Sequence, residues 1–401
     1  MSDKVAAIDF GSSKIRCLVA KRKEDSFEIV AKSIIDSAGF NNGSIINFLE
    51  ASSSLNKVAS NIESFINEKI DKFLFSIENK SVFVCNFSLI QTFTKNQINQ
   101  KKILQDLVQK SFNEIQKFNL EKNLLHLFYC ILDKKSSKIQ SNISHSDSSY
   151  IQVTGILANN NSIDEFIDLK KDNFKEVKFI APSVALLSCF LKKSSDENTI
   201  IIDIGKNKTT LTILQNSSLI AHSSIPIGSN HLTSDLSKVL KIDYDLAEKI
   251  KINHVIELEK KKQQPHQFID SKFFKDGVTR KISKELVNEI LFSRILEIMK
   301  LIYRLAQHLK PNLLNSKIYL AGGGSGLKGL EIIFKKYFGE NVFKLSTILQ
   351  NDPKFLDGLS SEYLISYGLL KSHFERPSNE VIASLQNNDG ILSKFFKFFS
   401  R

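Results

Sequence analysis

"KVAAIDFGSSKIRCLVA", residues 4 to 20, reads as an apolar strand, a polar turn on Asp9, Phe10, Gly11, Ser12, Ser13 and Lys14, and a second, alternating strand. "TIIIDIGKNKTTLTIL", residues 199 to 214, repeats the plan: strand, Asp203, Ile204 and Gly205, a polar turn, and an alternating strand. The two Asp stand 194 positions apart. Each pair is followed by a third strand-like run, "SFEIVAKSII" (26 to 35) and "SLIAHSSIPI" (218 to 227), and then by a helix-like segment. Three strands and a helix, given twice, describe an α/β chain with an internal duplication.

The turns suggest a chemistry. Glycine lets backbone approach a phosphate, successive N–H groups and small hydroxyls bond its oxygens, and an Asp at the strand end can hold the hydration shell of a bridging Mg²⁺. A single Asp-x-Gly hairpin is usually just a turn, whereas two facing each other would grip a nucleotide tail from both sides. A third element is "KIYLAGGGSGLKGLEIIFKKYF", residues 317 to 338. It predicts a strand, a Gly-rich turn over Gly322, Gly323, Gly324, Ser325 and Gly326, and an amphipathic helix from about Leu327. In "LAEKIKINH" (246 to 254), Glu248 and Lys251 share a helical stretch, a spacing that a solvated helix face also shows.

In this order the motifs resemble the actin, Hsp70 and sugar-kinase ATPase superfamily. The resemblance implies duplicated actin-like (ribonuclease H-like) α/β domains around a nucleotide cleft. It makes Asp9 to Lys14 the first phosphate motif, Asp203 to Thr209 the second, and Gly322 to Leu327 the adenosine motif, with Glu248 and Lys251 flanking the adenosine. The implied nucleotide-binding set is Asp9, Gly11, Ser12, Ser13, Lys14, Asp203, Gly205, Lys206, Asn207, Thr209, Glu248, Lys251, Gly322, Gly323, Gly324 and Ser325. The implied ligands are ATP and Mg²⁺, the metal reached through water by Asp9 and Asp203.

Within the superfamily the chain is most similar to the FtsA family of bacterial cell-division proteins. "SVFVCNFS" (81 to 88), "INQKKILQDLVQKSFNEI" (98 to 115), "LLHLFYCILD" (124 to 133) and "YIQVTGILANN" (150 to 160) resemble the small subdomain that family inserts in its first half. "TSDLSKVLKIDYDLAEKIKIN" (233 to 253) resembles its upper second subdomain. The expected layout is a first core half over 1–80 and 161–195, an inserted subdomain over 81–160, and a second core half over 196–235 and 305–372. An upper subdomain over 236–304, a flexible linker over 373–389 and an amphipathic helix over 390–401 complete it.

That last segment, "GILSKFFKFFSR", gathers Ile391, Leu392, Phe395, Phe396, Phe398 and Phe399 into one helical arc of roughly 160°. Ser393, Lys394, Lys397, Ser400 and Arg401 fall opposite. Such a helix lies in a membrane interface with rings in the acyl boundary and cations among anionic headgroups; docking on the chain's own core is the other reading. After ordering costs, one copy gains only about a few kcal/mol, so firm binding needs many copies acting together.

The family resemblance supplies that multiplicity. It implies an ATP-binding protein that forms protofilaments on the cytoplasmic side of the inner membrane at the division site, tethers the FtsZ C-terminal peptide, and recruits later division proteins through residues 81–160. It also implies docking of the peptide at Arg294, Arg280 and Lys284, although Arg294 and Glu297 are equally spaced to pair across a helix turn. A metabolic kinase would need a catalytic Asp, for which no residue can be nominated. An actin-like pilus-assembly scaffold is the other alternative.

Composition narrows the rest. The 401 residues carry a net charge of +12, but only 7 of 55 basic residues are Arg and the Lys are spread along the chain, which argues against a nucleic-acid stripe. No apolar run approaches 18 residues, and "MSDKVAAIDFG" enters a strand at once, so neither a membrane span nor a signal peptide is expected. Four scattered cysteines and eight histidines show no metal-ligand spacing and fit a reducing cytosol. One departure stands out: the Gly-rich second phosphate turn of the superfamily is here Lys206-Asn207-Lys208. Either these side chains bind phosphate directly or this half of the clamp has degenerated, and slow or absent ATP turnover is expected.

Overall fold

The computed structural model describes residues 4–24, 26–78, 82–91, 110, 113–114, 122–133, 139–140, 149–170, 174–190, 198–215, 218–258, 268–269, 282–309, 316–349, 359, 361–375 and 380–382. The chain divides into two compact units. Unit 1 comprises Met1–Glu197, Leu214–His222 and Pro353–Arg401; unit 2 comprises Asn198–Ile213 and Ser223–Asp352.

Unit 1 is built on strands β1 (Lys4–Phe10), β2 (Lys14–Lys23) and β3 (Ser26–Asp36). The small hairpin β4 (Phe40–Asn41) and β5 (Ser44–Ile45) and helix α1 (Phe48–Ile66) follow. With β6 (Lys72–Ser76) and β11 (Glu176–Ile180) the main sheet runs β11-β6-β1-β2-β3. β1 pairs antiparallel with β2 and parallel with β6, so it is central and takes cover on both faces. That position explains why "KVAAIDF" is apolar almost throughout. On one face Ala6, Ile8, Phe10, Ile15, Cys17 and Val19 meet Ala51, Leu55, Val58 and Ile62 of α1. α1 starts at the Asn47 cap, whose side chain accepts from Glu50 N, and stops at Asn67 in the left-handed region. Phe10 anchors a ring cluster with Phe40, Phe75 and Phe166, its centroid 4.8 to 5.3 Å from theirs.

A second sheet in unit 1 runs β17-β8-β10-β7, from β7 (Phe83–Gln91), β8 (Lys122–Asp133), β10 (Ser149–Asn159) and β17 (Glu380–Ile382), with β9 (Ile139–Gln140) beside β8. Helix α2 (Asn160–Lys170) returns the chain to the core. The segments 81 to 88, 124 to 133 and 150 to 160 carry β7, β8 and β10, and β10 pairs with both of the others. Of the segment 98 to 115, only 110 and 113–114 lie among the described residues, and they are helical.

A third sheet, most of it in unit 2, holds β12 (Asn198–Ile204), β13 (Thr209–Gln215), β14 (Ser218–Ile225), β15 (Lys317–Ala321) and β16 (Val342–Lys344) in the order β14-β13-β12-β15-β16; its stretch Leu214–His222 is counted with unit 1. This is the order of the first sheet, three sequential strands and then two crossover strands, so the duplication read in the sequence is a duplication of topology. β15 lies parallel to β12 as β6 lies parallel to β1.

The helices around this sheet are α4 (Ser229–Leu240), α5 (Tyr244–Asn253), α6 (Lys284–Leu309), α7 (Leu330–Phe338) and α8 (Leu345–Leu349). α6 buries Val287, Leu291, Ile295, Ile298, Ile302 and Ala306, a single stripe at helical spacing.

Two expectations need adjusting. The second core half expected over 305–372 does not stay together: α9 (Leu364–Phe374) belongs to unit 1 with α3 (Pro182–Ser188). α9 is buried from Leu364 to Ser372; Ser366 Oγ donates to Arg16 O at 3.2 Å and Phe27 stacks on Phe374 at 5.1 Å. A helix so apolar on all sides has no solvent face to offer and fills the open side of the first sheet. The linker expected over 373–389 is also ordered in part, because His373 and Phe374 end α9 and Glu380–Ile382 joins the edge of β8. The short "EVI" carries too little pattern to be read as a strand alone. The Phe-rich segment 390–401, with Ile391, Leu392, Lys394, Phe395, Phe396, Lys397, Phe398, Phe399 and Arg401, lies outside the described residues.

Candidate nucleotide site

The first turn sits where β1 hands over to β2. The strands' register sets Asp9 opposite Arg16 and Phe10 opposite Ile15, leaving Gly11, Ser12 and Ser13 as the loop. Ser76, at the end of β6, takes the Phe10 N–H at 3.2 Å and donates to Asp9 Oδ1 at 3.1 Å. Ser12 Oγ accepts from Asn42 N at 2.9 Å, and Ser13 O accepts from Ser37 N at 3.1 Å. Lys14 Nζ, expected at phosphate, lies 2.6 Å from Asp36 Oδ1 on β3 at the surface. Sequence reasoning missed Ser76 and Asn42. The available signal was a small polar residue closing the apolar "KFLFS" at the level where β1 ends.

The second turn closes by Gly205 N donating to Lys208 O at 2.9 Å, so Lys206 and Asn207 form a two-residue tip. Neither takes a positive φ, in contrast to the left-handed turns usual at such tips. Its shape is held from outside by α4. Ser229 N donates to Gly205 O at 2.9 Å and Asn230 N donates to Lys206 O at 2.7 Å, so hairpin carbonyls occupy donors that a helix start leaves free. Gly228 makes this approach possible: a Cβ there would lie 2.6 Å from Gly205 O and Lys206 O and 2.7 Å from Lys208 N. The glycine requirement that the hairpin lacks thus reappears at residue 228, which the sequence reading passed over. Thr209 Oγ1 donates to Ile227 O at 2.7 Å, tying the hairpin's return strand to the same segment.

The Gly-rich turn packs on this hairpin. Asp203 and Ala321 are register partners on β12 and β15, and Gly322 follows at φ +78° with its α-carbon against the Asp203 carboxylate and the Ile204 carbonyl. Any side chain at 322 would displace the Asp203 carboxylate. Gly323–Gly326 forms a 3-10 turn in which Ser325 Oγ donates to Gly322 O at 2.7 Å. The helix expected from about Leu327 begins at Leu330 instead, because Gly329 is held at φ +89° where the chain passes Ile256. Ile256 N also donates to Lys328 O at 2.9 Å, which ties the segment after α5 to the Gly-rich turn.

Glu248 and Lys251 face each other on α5. Lys251 Nζ sits 2.7 Å from Glu248 Oε2, 2.9 Å from Thr233 Oγ1 and 3.3 Å from Ser229 O, and the residue is buried. Burial pushes the ammonium below the usual lysine range, Glu248 opposes that shift, and the nearby Lys206 charge adds to it. Its three N–H groups are already placed on protein acceptors, so it offers a ligand charge and position more than a spare donor. Tyr244 donates to Asn230 Oδ1 on the same face. Unit 2 thus gathers the second phosphate hairpin, the Gly-rich turn and the Glu248–Lys251 pair into one polar neighbourhood.

The cradle suits a phosphate-bearing ligand. A Cβ at Gly323 or Gly326 would meet no atom within 4 Å, so that backbone is open to close approach, and Lys206 is exposed. Among the described residues no three His, Cys, Asp or Glu side chains converge as a metal site, and no helix is long and apolar enough to cross a membrane.

Of the residues expected to receive a peptide, Arg294 projects from α6 to Asp235 on α4, with Nε to Oδ2 at 2.6 Å and Nη2 to Oδ1 at 3.0 Å, and it also contacts Glu297. Hydrogen bonding to Asp235 raises the Arg294 pKa still further. Lys284 opens α6, and Arg280 lies outside the described residues.

Comparison with known proteins agrees with this arrangement. Residues 200–360 match the family model described as cell division protein FtsA. The chain is 22% identical over 414 residues to the cell division protein FtsA of Neisseria meningitidis serogroup B, covering 97% of this chain and 96% of that protein. Among solved structures, a chain of the PilM-PilN type IV pilus biogenesis complex superposes with a TM-score of 0.60 at 14% identity, over 91% of this chain and 97% of that one. MreB5 of Spiroplasma citri bound to AMPPNP gives 0.53 at 14%, over 92% and 95%. Similarity to FtsA therefore runs over nearly the whole chain, and the fold is that of the actin-like ATPases.

Proposed function

We propose that this chain is an FtsA-like actin homologue that binds ATP with Mg²⁺, polymerises on the cytoplasmic face of the inner membrane, and tethers FtsZ there during cell division while recruiting later division proteins. The observation that carries the nucleotide part is the meeting of Asp203, the Lys206–Asn207 tip, Gly322 and the Glu248–Lys251 pair in unit 2. Asp9 to Lys14 is the matching turn of unit 1. Here Mg²⁺ would be reached through water from Asp9 and Asp203, and it would neutralise phosphate charge. The chain's own residues supply the backbone donors, the hydroxyls of Ser12 and Ser13, and the Lys206 cation, while the buried Thr209 hydroxyl is committed to Ile227 O and only braces the hairpin. No residue is assigned as a general base, so ATP serves as a conformational ligand with slow or absent turnover. The Phe-rich segment 390–401 is the membrane anchor, and Arg294, Lys284 and Arg280 receive the FtsZ peptide.

The test is co-sedimentation with anionic vesicles, with and without ATP, comparing the full chain with one ending at Asp389. ATP-enhanced pelleting that vanishes on truncation is expected; both forms staying in solution would remove the membrane adaptor. The likeness to a pilus-complex chain favours one second reading, a non-hydrolysing scaffold of another assembly. Co-pelleting with FtsZ separates the two.

A further inference from the structure

The chain leaves α9 through a cationic end of unit 1. The register places Lys72 beside Glu176, Lys178 beside Leu74, and Val5 beside both Lys72 and Ala20, so Lys72, Lys178 and, two residues beyond Ala20, Arg22 share one face of the main sheet. α9 lies on that face. The Arg22 guanidinium stands 5.6 Å from the Phe374 ring centroid, and Phe27, the register partner of Arg22, stacks on the same ring. His373 lies among Lys178, Lys72 and Arg22, whose charges together with burial hold it neutral. The acids beside these cations are Glu176, 3.6 Å from Lys178, Asp71, 2.8 Å from the exposed Lys175, and Glu375. Neither Lys72 nor Lys178 is buried.

The route of the chain beyond this point is short. From Glu375 it reaches β17 at Glu380, and β17 is pinned to β8 with Glu380 opposite Phe128 and Ile382 opposite Leu127. Five steps from 375 to 380 span at most about 18 Å. The segment 383–389 then spans at most about 25 to 30 Å before residue 390. β17 therefore shortens the expected linker to a leash that starts at Ile382, within about 25 Å of Glu375.

We propose that the end of unit 1 carrying Arg22, Lys72 and Lys178 faces an anionic bilayer and binds its headgroups directly. This rests on the reading of residues 390–401 as the membrane anchor: a helix in the interface on so short a leash holds this end near the surface. Each headgroup-facing lysine strengthens binding about fivefold, and salt weakens it.

The experiment measures vesicle affinity for the full chain and for the Lys72→Gln/Lys178→Gln and Lys72→Arg/Lys178→Arg variants. The vesicles are phosphatidylcholine alone or with a quarter phosphatidylglycerol, and the chain ending at Asp389 serves as a further arm. The Gln pair is expected to lose about 20-fold on the anionic vesicles only, while the Arg pair binds as the parent does and melts at the same temperature. Parent-like affinity of the Gln pair, or an equal loss on both vesicle types, overturns the headgroup surface. If truncation at Asp389 abolishes binding while the Gln pair is unaffected, the anchor stands and only this surface falls. If truncation changes nothing while the Gln pair loses affinity, the anchor falls and the surface stands. A full chain that ignores anionic vesicles overturns both.

Discussion

Arg294 of α6 grips Asp235 of α4 through two contacts, 2.6 and 3.0 Å, with both side chains about a quarter exposed. An acidic peptide docking at Arg294 must therefore displace Asp235 or share the guanidinium with it. Asp235→Ala is expected to cost roughly 1 kcal/mol of stability and to strengthen binding of an acidic FtsZ peptide several-fold, whereas Arg294→Ala abolishes that gain. A double-mutant cycle on peptide affinity measures the coupling; equal affinity in parent and Asp235→Ala would remove Arg294 from the docking surface.

Gly228→Ala is expected to disrupt the second phosphate hairpin, since the new methyl meets two carbonyls at 2.6 Å. The backbone must shift, and affinity for a fluorescent ATP analogue should fall by about tenfold or more while the melting temperature drops only a few degrees. Gly326→Ala, where a methyl meets nothing within 4 Å, is the matched control and should melt as the parent does.

Lys251→Met leaves Glu248 and the Thr233 hydroxyl without their ammonium partner. Loss of a buried cation from this network should cost about 2 to 3 kcal/mol by chemical denaturation, and adding Glu248→Gln should recover part of it. If the double variant is no more stable than the single, the pair is not energetically coupled.

His373 carries a pH dependence of definite sign. Burial, with Lys178, Lys72 and Arg22 facing it from β11, β6 and β2, lowers its pKa from 6.5 to about 4, while Lys371 and Glu375 flank it on its own helix and Glu176 sits beside Lys178. Between those values the unfolded chain holds a proton that the folded chain refuses, so stability falls as pH drops from 6.5 toward 4, by at most about 1.4 kcal/mol per unit. Comparing denaturation midpoints of the parent and His373→Gln across that range checks this: the variant should show a shallower slope.

The duplicated strand plan and the three Gly- and Asp-bearing turns were legible from one chain because each is a local pattern of period two or a turn residue at a fixed place. What was not legible depended on partners far away in sequence. Ser76 reaches Asp9 across 67 positions, Asp235 reaches Arg294 across 59, and the membership of α9 in unit 1 depends on contacts such as Ser366 to Arg16. No local propensity encodes those pairings.

The departure at Lys206-Asn207-Lys208 shows the same division. From sequence the loss of glycine weakens the second phosphate turn, because side chains restrict a tight hairpin. In the folded unit the hairpin keeps negative φ and receives its support from Ser229 and Asn230, with Gly228 supplying the clearance. Sequence by itself determined which strands and turns exist and in what order, since hydrophobic period and turn chemistry act within a few residues. Tertiary structure alone decided which carbonyls meet which donors and where a glycine is indispensable, because close backbone approach belongs to two segments at once.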